Sequence, residues 1–107
     1  MVKLTVMYNL PEGSDHDEFM KWRTTTHQEA NAKMPHVLKT DFYVAKETMM
    51  GPPAYRYITE AYYETMQDLE NSFFTPEAQA KLKEDSKRGS EMIFLVSDEI
   101  VTTINKN

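Results

Sequence analysis

The chain has 107 residues, with 12 Lys plus Arg against 17 Asp plus Glu for a net charge of −5, no cysteine, and three isolated glycines at Gly13, Gly51 and Gly89. Lack of cysteine excludes a disulfide staple, a thiolate nucleophile and a Cys-based zinc or iron–sulfur site; lack of clustered glycines excludes a dinucleotide fingerprint and a P-loop. Length and 40% hydrophobic content fit one domain spanning residues 1–107 with a modest core.

Residues 3–9 alternate, with Leu4, Val6 and Tyr8 on one face, and predict a first strand that Pro11, Glu12 and Gly13 stop. Ser14 with Asp17 three residues on predicts a capping box, followed by a helix over about 15–33 that carries Phe19, Trp22, Thr26 and Ala30 on one stripe. Pro35 forbids its continuation. Residues 37–47 predict a second strand, with Leu38, Phe42 and Val44 on one face and Asp41, Tyr43 and Ala45 on the other. A turn over 48–54 and a third strand over 55–64 complete a hairpin. A second helical region opens at Thr65, restarts at Thr75–Pro76, where Thr caps and Pro takes the first helical position, and ends at Gly89 as its C′ residue. Residues 91–104 predict a long final strand with a bend near Asp98.

The order β-α-β-β-α-β is the ferredoxin-like split arrangement of the α+β class, a four-stranded antiparallel sheet with helices on one face. Strand four offers Met92, Phe94 and Val96 to one face and Ile93 and Leu95 to the other, and strands two and three put Tyr43 and either Tyr57 or Tyr62 on the uncovered face. Both faces require burial, which predicts a symmetric homodimer whose uncovered faces pack together around a shared space. The acidic balance and the scatter of Arg23, Arg56 and Arg88 argue against nucleic acid. No segment approaches the roughly 20 apolar residues of a membrane span, so no membrane partner and a cytoplasmic location are expected.

Chemistry is expected from few groups. His27 lies at the edge of the helix-one stripe, where an imidazole suits acid–base work or simply fixes the helix through a backbone carbonyl. Arg23, four residues earlier, pairs either with a substrate carboxylate or enolate oxygen or with Glu18 or Glu29. Trp22 reads as core. Tyr43, Tyr62 and Phe94 are candidate substrate contacts, and Glu60 is a second catalytic candidate if Arg56, Ile58, Glu60 and Tyr62 face the shared space; the opposite register would remove it. Thr59, Ala61 and Tyr63 form the set suited to the helices. His16, His27 and His36 lack the spacing of a metal motif, so neither metal nor cofactor is expected, and a heme would need His27 or His36 as axial ligand. Met49–Met50 reads as an exposed or interface hairpin, and residues 81–88, KLKEDSKR, as a solvated helix face.

Four segments carry a resemblance: MVKLTVMY at the start, Trp22–His27, residues 52–82 from PPAYRYITEAYYE to the TPEAQAKL restart, and FLVSDEIV near the end. Together they resemble the EthD-like proteins, linked to ethyl tert-butyl ether degradation, within the dimeric α+β barrel superfamily. The chain departs from that pattern at Tyr57, where the family has an Arg before the strand-three Ile. The resemblance implies a homodimer and catabolism of a small apolar or aromatic molecule, or polyketide-type chemistry. A cofactor-independent isomerase, dehydratase or decarboxylase is the first expectation. A non-catalytic carrier of an apolar metabolite and a cofactor-free monooxygenase are the others.

Overall fold

A computed structural model describes residues 1–106. Strand β1 (Val2–Asn9) is followed by α1 (His16–Trp22), a π-helical turn (Arg23–His27) and α2 (Gln28–Ala32). Then come β2 (Lys39–Val44), β3 (Tyr57–Tyr63), α3 (Met66–Phe73), α4 (Pro76–Asp85), a 3₁₀ turn (Ser86–Arg88) and β4 (Ser90–Asp98). The strands form one antiparallel sheet in the order β2-β3-β1-β4, which is the ferredoxin-like topology.

Alternation along β1 turns Val2, Leu4 and Tyr8 toward the helices, and two apolar clusters build on them. Val2 and Leu4 join Tyr63 and Leu69, while Tyr8 joins Phe19 and Tyr57. The Tyr63 hydroxyl is satisfied by Ser72 at 3.0 Å, which lets a phenol sit fully inside. Tyr57 is buried too: it stacks on Tyr8 and Phe42, and its hydroxyl meets His16 Nδ1 at 2.6 Å. The departure from the family pattern at this position is therefore a core residue, and Arg56 beside it is exposed.

The hairpin strands are shorter than the expected 37–47 and 55–64, and three further boundaries differ from the sequence expectation. The first helix is capped by Asp15, whose carboxylate accepts from the Glu18 amide at 3.1 Å, while the Ser14 hydroxyl donates back to the Pro11 carbonyl. A carboxylate at that place serves both the free N–H groups and the helix dipole. Strand β4 stops at Asp98 because its partner runs out there, with Val2 pairing to Asp98. The Glu99 amide still donates to the Met1 carbonyl at 2.9 Å, and beyond it Ile100, Val101 and Ile104 lie outside the strand and exposed. Gly89 is extended, with φ −112°, and is not a left-handed C′ residue. Space is its constraint, since an added Cβ would lie 3.3 Å from both the Met92 sulfur and the Tyr8 ring.

The π turn positions the site. Thr24, Thr25 and Thr26 form a β-branched run, and the hydroxyls of Thr24 and Thr25 donate to the carbonyls of Met20 and Lys21 four residues back. Such back-bonding competes with the amide ladder and bends helices. The ladder widens here, with the Gln28 amide reaching the Arg23 carbonyl. The expected stripe shifts as a result: Thr26 is exposed, whereas Arg23 is buried and His27 half-buried.

Candidate functional site

A cavity of about 120 Å³ lies between the sheet and the helices of a single chain. Its walls are mostly apolar, with Val6, Phe19, Trp22, Phe73, Leu82 and Phe94 among them. The helical side adds four ionisable groups, His27, Lys81, Asp85 and Arg88, and the sheet adds Tyr8 and Thr59. The volume is of the same order as, though smaller than, the roughly 150 Å³ of an apolar cavity that admits benzene.

His27 is held on two sides. Its ring stacks on Trp22 with centroids 4.4 Å apart and planes 21° from parallel, and Nδ1 lies 3.7 Å from an Asp85 carboxylate oxygen. Burial, then the positive charges of Arg23, Lys81 and Arg88, push the imidazole down to about 4. The ring is therefore neutral near pH 7. The ring lines the cavity, and the nearby Asp85 carboxylate favours the tautomer with its proton on Nδ1, which would leave Nε2 as the basic atom. Asp85 is displaced upward by its own burial, with Lys81 and Arg88 opposing. The Arg88 guanidinium also lies over the Trp22 ring, 4.1 Å from its centroid.

Arg23 is 1% exposed and has no carboxylate partner among the described residues. It donates to Gln28 Oε1 at 2.7 Å and Thr59 Oγ1 at 3.0 Å, and its carbon centre lies 4.2 Å from the Phe42 ring. Its Nε–H finds no acceptor. Burial lowers its pKa, countered by the neighbouring Tyr8 phenol. Conversely, burial raises Tyr8 while Arg23 and Thr59 hold it back. Neither Glu18 nor Glu29 pairs with the guanidinium; Glu29 instead binds Lys33 at 2.8 Å.

The residues singled out from the sequence are divided by the sheet. His27, Phe94 and the cavity lie on the helix side, with Arg23 behind Tyr8 and Thr59. In β3 it is Thr59, Ala61 and Tyr63 that border the cavity, so Glu60 and Tyr62 point to the opposite face, where Tyr43 is exposed as well. Glu60 pairs with Lys3 at 2.8 Å, and Lys39 lies 4.7 Å from the centre of the Tyr62 ring. Within one chain, His27 and Glu60 do not meet. Trp22 is a cavity wall as well as core. Residues 81–88 are not simply a solvated face: Lys81, Leu82, Asp85, Ser86 and Arg88 all border the cavity. Tyr8 carried only the signal of an inward strand position. Met49 and Met50 are fully exposed hairpin residues away from the site. His16 binds Tyr57 and His36 lies 3.7 Å from Asp68, and no group of three or more metal-ligating side chains occurs among the described residues.

Sheet order, helix placement and the helix-side cavity define a ferredoxin-like α+β protein of the dimeric α+β barrel superfamily. The chain belongs to the family described as REDY-like protein HapK, whose family model matches residues 2–100. It is similar to an EthD family protein from Bacillus halodurans, with 25% identity, a TM-score of 0.77, and coverage of 94% of this chain and 99% of that one. The crystal structure of HapK from Hahella chejuensis aligns over 100% of both chains at 16% identity with a TM-score of 0.72. A hydroxynitrile lyase from Passiflora edulis aligns over 99% of this chain and 94% of its own at 15% identity, with a TM-score of 0.70. No curated protein matches the chain by sequence. No helix among the described residues is long and apolar enough to cross a membrane.

Proposed function

We propose that the protein is a cofactor-independent enzyme that moves a proton on a small hydrophobic oxygenated molecule, with His27 as the acid–base group. One observation carries this reading: a neutral imidazole, clamped between Trp22 and Asp85, borders an apolar cavity of about 120 Å³. Nε2 would take a proton from a carbon next to a carbonyl, the electron pair would shift onto the oxygen, and the protonated ring would return the proton at the same or another carbon. Tyr8 and Thr59, which line the cavity with Arg23 bonded to Thr59, would meet the developing oxygen charge. Isomerisation, dehydration and decarboxylation share that intermediate charge. A lyase on a structural neighbour agrees with small-molecule catalysis on this fold.

The test is solvent exchange. Monocyclic ketones with acidic carbon–hydrogen bonds, followed by NMR in deuterated water, are expected to lose signal at least tenfold faster with protein than with buffer, without oxygen uptake. Absence of acceleration for a ketone whose shift changes show it in the cavity overturns the enzymatic reading in favour of a metabolite carrier.

The same reading includes a homodimer in the cytoplasm. Ile58, Ile93 and Leu95 lie on the face away from the helices, and Ile100, Val101 and Ile104 extend beyond the sheet with high exposure. A second copy would cover them. Light scattering at micromolar concentration is expected to give twice the 12.5 kDa of one chain, and a 12.5 kDa species would refute the dimer.

A further inference from the structure

The charge around the cavity runs against the charge of the molecule. The chain is net −5, yet the groups near His27 are Arg23 from its own π turn, Lys81 and Asp85 from α4, and Arg88 from the 3₁₀ turn, three cations against one carboxylate. Glu84, the other acid nearby, is turned to Lys87 at 2.9 Å. None of Arg23, Lys81 and Arg88 has an ion-pair partner within 4.0 Å among the described residues. Lys81 and Arg88 still reach solvent, but Arg23 does not, and it keeps an unused N–H donor. The cations that border the cavity itself are Lys81 and Arg88, while Arg23 adds its positive charge from behind Tyr8 and Thr59.

We propose that the cavity takes a ring-sized apolar molecule carrying one anionic oxygen group, a carboxylate or an ionised enol or phenol, held by Lys81 and Arg88 beside His27. This rests on the acid–base reading for its meaning but is tested apart from turnover. Burial first, then Arg23, and after it Lys81 and Arg88 keep the imidazole a poor proton acceptor while the cavity is empty, and the last two are the cations that would hold the anion. An anion close by offsets them and raises the basicity of Nε2 only when a ligand is present. Lys81 and Arg88 recruit and orient, and His27 acts.

The experiment compares cinnamate with cinnamamide, which share a ring and differ in charge, by titration calorimetry on the full chain at fixed ionic strength. Cinnamate is expected to bind at least tenfold more tightly, and in the Lys81→Gln/Arg88→Gln variant the ratio of the two affinities is expected to fall to about one. Both residues are at the surface, and an unchanged unfolding temperature checks that the variant is folded. In parallel, NMR titration of the His27 ring should show its pKa rising with cinnamate and staying put with cinnamamide. Equal affinity of the two ligands, no binding of either, or a preference that survives the double substitution overturns the proposal. A preference for the anion with no exchange activity toward any ketone upholds it while removing the enzymatic reading.

Discussion

Replacing His27 with glutamine is expected to lower turnover by about 10²–10⁴-fold, the usual contribution of a positioned acid–base group, while changing ligand affinity only a few-fold. Glutamine keeps a polar, uncharged side chain of similar reach against Trp22 and Asp85, so the cavity is preserved and only the proton-accepting nitrogen is lost. The pH profile separates chemistry from packing. Because the imidazole of the free protein titrates at about 4, kcat/KM should not fall between neutrality and about pH 5 through loss of this base, whereas an unperturbed histidine would already be half-protonated near 6.5. Asp85→Asn is expected to cost less than His27→Gln, since a carboxylate at 3.7 Å orients the ring and does not itself move the proton. Steady-state kinetics on the three proteins decide this. If glutamine at position 27 keeps near wild-type turnover, His27 is not the acid–base group.

Acid should unfold this protein before most of its carboxylates titrate. A histidine whose folded pKa lies below its unfolded value favours folding fully above the unfolded value and loses that contribution as pH falls through the folded one. For this half-buried ring the window runs from 6.5 down to about 4, and stability is lost progressively across it. Asp85 works in the opposite sense: its raised pKa adds stability as it protonates, so it softens the acid end of the window. Urea unfolding at a series of pH values between about 7 and 4.5 should show the midpoint falling steadily, and His27→Gln should flatten that fall. A glutamine variant with the wild-type slope would show that another group is responsible.

The fold was legible because its signals are local. Alternation through Leu4, Val6 and Tyr8, the Thr75–Pro76 restart and the break at Pro35 each follow from backbone chemistry that needs no tertiary context. His27 was legible as the one histidine on an apolar helix edge. Its partners were not. Lys81, Asp85 and Arg88 sit in a run whose composition is that of a solvated helix, and only packing α4 over the sheet turns one side of that run inward. Glu60 and Tyr62 follow the expected register of β3 on the face away from the helices, whereas the cavity within one chain lies on the helix face, which strand periodicity does not reveal. The π turn leaves no periodic mark, and the threonine run that makes it reads simply as poor helix former.

Trp22 is the only tryptophan in the chain, and it forms a wall of the cavity with His27 stacked on its indole and Arg88 over the ring. The indole emission of the whole molecule therefore originates at the site. A ligand entering beside it, or a proton arriving on the stacked imidazole, alters the immediate surroundings of that single fluorophore. The protein carries a built-in optical gauge of both occupancy and protonation, readable without a label and before any substrate has been identified.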